Sequence, residues 1–171
     1  FIEFPVQQRT TANAGADARI CGGNPFQPDA TATNYIALKW STTGTGFFND
    51  PGIINPKYYP SPADVEAGTV QLIITLTGFS YGEIVKDTLV LTFAPKPTLD
   101  AGPDTFTCNG EAFATTAKAT NYISAHWSTS GDGNFDNADT LQTTYKPGAT
   151  DILNKKVRLI AHIETEAVCS Q

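Results

Sequence analysis

The sequence predicts an all-β chain built from two tandem β-sandwich domains. Three observations predict it. One stretch is written twice at a fixed offset, apolar residues alternate with period two inside each copy, and turn residues punctuate the chain roughly every 8–12 positions.

The repeat comes first. Asn34-Tyr35-Ile36 returns as Asn121-Tyr122-Ile123, and Trp40-Ser41-Thr42 with Gly44, Gly46 and Phe48 returns as Trp127-Ser128-Thr129 with Gly131, Gly133 and Phe135. The same offset of 87 aligns Ala14-Gly15 with Ala101-Gly102, Asp17 with Asp104, Cys21 with Cys108 and Phe26 with Phe113. It also aligns Tyr58 with Tyr145, Pro60 with Pro147, Asp64 with Asp151, Val70 with Val157 and Leu72 with Leu159. Roughly a third of the overlapping positions are identical, too many for chance at one ungapped offset.

Residues 14–93 are therefore read as the first repeat and 101–171 as the second. Residues 94–100 carry Pro95 and Pro97, so they form a linker that cannot be helical and limits bending. Residues 1–13 read as the last strand of a preceding repeat plus its linker, because Phe1-Ile2-Glu3-Phe4 falls on Thr88-Leu89-Val90-Leu91. Gln171 corresponds to Ile84, ahead of that strand, so the second repeat is expected to lack it. A window cut from a longer array accounts for both ends. Donor-strand exchange, in which one chain's N-terminal strand completes the next chain's second domain, accounts for them as well.

Each strand has its own signal. Val70, Leu72, Ile74 and Leu76 alternate along one face, as do Val157, Leu159, Ala161 and Ile163, which makes that face core. Leu89, Leu91 and Phe93 form a further strand after the turn at Ser80-Tyr81-Gly82. Trp40 and Trp127 sit on strands that run from the Asn-Tyr-Ile segments into Gly-x-Gly turns, where positive φ is permitted. With Tyr58 and Tyr145 they are the predicted structural core of each copy.

Composition excludes several classes. Charged residues make up 16% of the 171, below the roughly 25% of ordinary soluble domains, so surface helices rich in Glu, Lys and Arg have no raw material. A net charge of −6 argues against a nucleic-acid partner, since neutralising phosphates takes an excess of Lys and Arg. The most apolar run, Val70 to Phe79, is interrupted by Gln71, Thr75 and Thr77 and is too short to insert in a membrane. The chain contains no Met, as expected of a processed product or an internal segment.

Ala101-Gly102-Pro103-Asp104, Cys108-Asn109-Gly110, the run from Trp127 to Phe135 and the run from Thr144 to Ile152 resemble the PKD-like, immunoglobulin-like repeats of large cell-surface adhesins in gliding, type IX-secreting bacteria. The resemblance spans nearly the whole chain in two copies. It implies seven-stranded sandwiches in a long extracellular adhesin or gliding-motility filament, where such repeats serve as spacers or adhesive surface. Thr45 departs from the pattern where the second copy has Asp132.

Candidate chemistry is sparse. Three cysteines allow one internal pair; in a sandwich Cys108 and Cys169 are placed to meet, closing a loop of about 60 residues, while Cys21 faces Gly82 and is expected as a buried free thiol. Two inert reduced cysteines are the other reading. Asp132, Asp136 and Asp139 carry oxygen ligands at alternating spacing and are weak calcium candidates, against a solvated polar hairpin that needs no metal. No other cofactor is expected. His126, His162, Glu164 and Glu166 lack a nucleophile in a fitting context, so no enzyme is expected. Phe47, Tyr59 and Tyr81 occur only in the first copy and are candidates for a surface that binds sugar rings or a partner, against scattered surface aromatics.

The reading that follows is a structural and adhesive module on the extracellular side of a cell surface. Its partners would be neighbouring repeats of the same protein, surface glycans, or a host or substratum surface. A carbohydrate-binding accessory domain of a secreted enzyme is the alternative, with a donor-strand filament subunit the third.

Overall fold

The computed structural model describes residues 1–3, 8–108 and 110–170. Phe4, Asn109 and Gln171, on which the repeat and its resemblance draw, lie outside them. The chain divides into two compact units, Phe1–Pro95 and Lys96–Gln171.

The first unit runs β1 (Thr11–Asn13), β2 (Ala18–Cys21), β3 (Thr31–Thr33), β4 (Tyr35–Thr42), β5 (Phe47–Phe48), β6 (Tyr58–Tyr59), α1 (Pro62–Ala67), β7 (Thr69–Gly78) and β8 (Ile84–Ala94). Its main sheet has the order β2-β8-β7-β4, and β1–β3 and β5–β6 form separate antiparallel ladders. The period-two pattern does what it predicts: Leu72, Ile74 and Leu76 on β7 and Leu89 and Leu91 on β8 are fully buried. Covering each such side chain contributes about 1.5–3 kcal/mol. Trp40, 2% exposed, packs into the same core, and its indole N–H donates to the Ile54 carbonyl at 3.2 Å. Ala12, Ala14, Ala30 and Ala32 pack the β1–β3 layer onto this core; their small side chains suit a close approach of the two layers.

The second unit repeats the plan with β9 (Thr98–Asp100), β10 (Phe113–Ala114), β11 (Lys118–Thr120), β12 (Ser124–Thr129), β13 (Asn134–Phe135), β14 (Thr144–Lys146), α2 (Ala149–Asn154) and β15 (Leu159–Glu164). Trp127 is 3% exposed and its indole donates to the Leu141 carbonyl at 3.1 Å, again fourteen residues on. Asn34 and Asn121 both turn the chain at φ 55°, and their side-chain amides reach back to the Arg9 and Lys96 carbonyls. Asn tolerates this left-handed conformation better than other side chains that carry a Cβ.

Three expectations need correction. The stretch 94–100 is not all linker, because β9 begins at Thr98 and pairs with β11. Likewise β1 belongs to the first sandwich rather than to an entry linker ending at residue 13, since Thr11–Asn13 pair with β3. Both are three-residue ladders too short for a visible alternation. The described residues also hold two short α-helices where only strands and turns were expected. Ser61 caps α1 with Pro62 at its first position, and the Ser61 hydroxyl accepts from the Asp64 N–H at 3.1 Å.

Among the described residues of the second unit, no strand takes the place of β8. The consequences spread. β15 pairs with β12 alone, and Leu159, Ala161 and Ile163 are only half-buried where Leu72, Ile74 and Leu76 are fully covered. β2 pairs in parallel with β8, but its counterpart, residues 105–108, forms no strand and is exposed. Cys108 lies at the end of that segment as a free, exposed thiol, so the expected Cys108–Cys169 bond is not formed. Cys21 and Cys169 are the disulfide-bonded cysteines, which also overturns Cys21 as a free thiol. Cys169 falls in a 3-10 turn at Ala167–Cys169 rather than in a hairpin, so the hairpin geometry behind the expected pairing does not exist.

Candidate functional site

The most organised polar site occurs twice, once in each unit, and is built around the aligned aspartates Asp64 and Asp151, to which the sequence pattern assigned no role. The Asp64 carboxylate is 2% exposed. It accepts the Tyr58 hydroxyl at 2.7 Å and the N–H groups of Thr45, Gly46 and Ser61 at 2.7, 2.9 and 3.0 Å. Thr42 donates its hydroxyl to the Tyr58 oxygen at 3.3 Å. Asp151, 5% exposed, accepts Tyr145 at 2.6 Å and the N–H groups of Asp132, Gly133 and Gly148 at 3.3, 3.2 and 3.1 Å. Thr129 completes the second copy at 3.0 Å from the Tyr145 hydroxyl.

The geometry explains Gly-x-Gly differently from the sequence reading. None of Gly44, Gly46, Gly131 and Gly133 adopts positive φ. A Cβ on Gly46 would sit 2.5 Å from the Tyr58 hydroxyl and 2.5 Å from the Tyr59 carbonyl, and one on Gly44 or Gly131 would run into the aspartate itself. The glycines are there so that main-chain N–H groups can close on a buried carboxylate. That carboxylate fills its own anion nest, leaving no space for a ligand.

Electrostatics follow the bonds. Burial alone would raise the Asp64 carboxyl, but the Tyr58 hydroxyl and the N–H groups of Ser61, Thr45 and Gly46 outweigh it and hold the group below the usual carboxylate range. The Tyr145 hydroxyl leads the same outcome at Asp151, against burial. Burial and the neighbouring Asp64 push the Tyr58 phenol up to about 12. Tyr145 moves the same way, through burial and then Asp151.

The other candidates separate. Phe47 and Tyr59 face each other across β5–β6 with ring centroids 5.2 Å apart and planes 13° from parallel. Phe47 remains 64% exposed. Tyr81, fully exposed, lies in the β7–β8 turn rather than on that hairpin. In the second unit Asn134 and Lys146 stand where Phe47 and Tyr59 do. Asp132, Asp136 and Asp139 do not converge. Asp132 caps α2 through the Thr150 and Asp151 N–H groups, Asp136 meets Lys146 at 3.2 Å, and Asp139 meets His126 at 2.6 Å. Among the described residues no group of three or more His, Cys, Asp or Glu is placed to hold a metal.

His126 and His162 stand opposite each other on β12 and β15. Asp139 holds the first ring, while the second lies 3.1 Å from the Ser128 hydroxyl, so no single imidazole links an acid to a nucleophile. Glu164 accepts the Ser124 hydroxyl across the same ladder at 2.7 Å.

The strand order and the shared Trp-centred cores define an all-β, immunoglobulin-like fold. No family model matches the chain and no curated protein matches it. Among solved structures it is similar to extracellular cadherin domains 3–6 of protocadherin gamma B2, with a TM-score of 0.47, 8% identity, and coverage of 92% of this chain and 44% of that one. It is similar to the D00-D0 domain of intimin with a TM-score of 0.42, 11% identity, and coverage of 92% and 100%. Titin domains Z1Z2 in complex with telethonin give a TM-score of 0.42, 9% identity, and coverage of 95% and 92%. The chain thus spans less than half of the protocadherin chain. Likenesses this slight carry neither an activity nor a partner to this chain. No helix among the described residues is long and apolar enough to cross a membrane.

Proposed function

We propose that the chain is a structural and adhesive repeat module of a long extracellular surface filament, non-catalytic, of the kind that serves gliding motility in type IX-secreting bacteria. One observation carries the reading: the tryptophan core and the aspartate hub recur in both copies, while the surface is shared only in part. Trp40/Trp127, Tyr58/Tyr145, Asp64/Asp151 and the paired glycines recur with the same contacts; Tyr35-Ile36 returns at the surface as Tyr122-Ile123, but Phe47/Asn134, Tyr59/Lys146 and Lys39/His126 diverge. Copies that keep a frame and vary much of their surface suit spacers in series, each holding its own core. The main sheet of the first unit supplies the mechanical element, with β7 bonded along both edges.

Pulling the chain from its two ends in a single-molecule force experiment tests this. Under reducing conditions, with Cys21 and Cys169 no longer disulfide-bonded, the first repeat is expected to give one cooperative peak, releasing on the order of 280 Å less its folded end-to-end length. Gradual extension with no peak contradicts a load-bearing role.

A second reading has one observation in its favour, the stacked Phe47–Tyr59 pair, in which the exposed Phe47 ring, backed by the half-buried Tyr59, offers a face to a pyranose. Binding on a glycan array that is lost in Phe47→Ala or Tyr59→Ala would move the function to a carbohydrate-binding accessory domain.

A further inference from the structure

We propose that His126 and His162 form a two-imidazole site on the outer face of the second unit for a divalent ion of the copper, nickel and zinc class, and that the bound ion ties β12 to β15. The ladder register sets the two residues directly opposite each other. The Trp127 N–H donates to the Ala138 carbonyl at 2.7 Å, on the side of β12 away from β15, so the neighbouring His126 N–H faces β15. Residues placed opposite in this way carry Cβ atoms about 4.5–5.5 Å apart. Two imidazoles on that base span one ion, whose bonds to nitrogen are about 2.0–2.1 Å long.

Both rings point away from the core, because the residues flanking His126, Ala125 and Trp127, are the buried ones. The counterpart pair Lys39↔Thr75 belongs to a sheet that holds β8, and there too Lys39 is exposed while Trp40 beside it is buried. The exposure of the rings therefore owes nothing to what borders β15. The His126 side chain is 58% exposed, open to an ion from solvent.

Asp139 prepares the first ring. Its Oδ1 lies 2.6 Å from His126 Nδ1, and a carboxylate only accepts, so Nδ1 carries the proton. Nε2 is left with the lone pair that a metal needs, and the carboxylate behind the ring strengthens that nitrogen as a donor. His162 is less committed. Its Nε2 lies 3.1 Å from the Ser128 hydroxyl, a group that both donates and accepts, so either tautomer of this ring is compatible with its contact. Glu164, held by Ser124, adds a second carboxylate to the same face, and its charge favours a cation there.

The members of this constellation are missing together from the first copy, where Lys39, Thr75 and Gly52 stand in the places of His126, His162 and Asp139. The turn that carries Asp139 is common to both: the Gly52 N–H donates to Asp50 Oδ1 at 2.9 Å and the Asp139 N–H to Asn137 Oδ1 at 2.9 Å. The second copy thus differs by a carboxylate on a shared turn and two imidazoles on a shared ladder. Nitrogen donors then select the ion. Imidazole suits copper, nickel and zinc, whereas calcium takes oxygen, so this site is not the calcium loop weighed at Asp132, Asp136 and Asp139. With two protein ligands, water fills the remaining positions.

The test is titration of the full chain carrying Cys108→Ser, which removes a competing exposed thiol, with Cu2+ alone. Calorimetry should show one ion per chain at micromolar affinity. His126→Ala and His162→Ala should each lower that affinity about 100-fold, since each turns a chelate into a single ligand. Both rings are exposed, so the amide spectra of the two variants should keep the pattern of the folded chain. Asp139→Asn should lower the affinity about tenfold through the orientation of His126. Zn2+, which is diamagnetic, should shift the amides of residues 125–127 and 161–163. It should also raise the melting temperature of the second unit by on the order of 5 °C at about ten times its Kd. Absence of copper binding, or an affinity unchanged by either alanine variant, overturns the proposal. So do Zn2+ shifts confined to residues 1–3, which would give the ion to the terminal amine. None of these outcomes bears on the filament reading, which the force experiment tests by itself.

Discussion

The two repeats carry the same aspartate hub and the same buried tryptophan, yet among the described residues only the first has a strand in the place of β8. In the first unit Leu72 is fully buried between β4 and β8; its counterpart Leu159 is half-exposed on a strand with one neighbour. The residue is identical and so is its place in the pattern. Burial is a property of the finished sheet, and a side chain contributes to stability only what its neighbours cover. The hub behaves in the opposite way. Its donors come from one loop, one helix start and a tyrosine on the short strand before that helix, so it assembles without a strand in the place of β8.

That contrast can be pressed experimentally. Leu72→Ala should cost about 3–5 kcal/mol and Leu159→Ala only about 1–2, measured by urea unfolding of each variant. Equal losses would mean that β15 is as well covered as β7. Asp64→Ala and Asp151→Ala should each cost about 3 kcal/mol, because either change strands a buried phenol and three N–H groups. Here the two units should differ little, with Asp64 the dearer for its shorter bonds. Gly46→Ala and Gly133→Ala should each cost about 1–3 kcal/mol although neither glycine has positive φ. A neutral result at either would return the Gly-x-Gly turn to a purely conformational role.

The pH dependence follows from the same carboxylates. Asp64 and Asp151 are held below their unfolded values, so their contribution is complete above about pH 4 and drains away as pH falls through and below that value. Tyr58 moves the other way: its contribution is complete below about pH 10 and is lost as pH rises through about 12. Asp64→Asn should flatten the acid limb in a thermal-melting series, and Tyr58→Phe the alkaline one. The smallest effect concerns sulfur. The oxidised, denatured chain should titrate one thiol, and Cys108→Ser should titrate none; two thiols in that variant would restore the Cys108–Cys169 pairing.

Much of the frame was legible in the sequence because it was written twice. Trp40 and Trp127 announce themselves as large apolar residues at equal places, and Val70, Leu72, Ile74 and Leu76 declare their strand by alternation. Asp64 and Asp151 recur at the same offset but do not stand out, since an acidic residue a few positions after proline or glycine reads as solvated surface. The spacing that would have found them is Tyr58 to Asp64, six residues, repeated as Tyr145 to Asp151 beside a Gly-x-Gly turn. Cysteine pairing was misread because it depends on where Cys169 comes to rest after β15, which no local pattern specifies. The short ladders at Thr11 and Thr98 read as linker in the sequence because three-residue strands carry too few alternations to show.

The two indoles have a practical consequence. Each donates its N–H to a main-chain carbonyl fourteen residues downstream, and each lies against a phenylalanine at 5.7 or 5.9 Å. Chromophores in such matched surroundings emit at nearly the same wavelength, so the fluorescence of the native chain reports an average over both domains. Trp127→Phe or Trp40→Phe would leave a single emitter, and the light from each half could then be followed by itself.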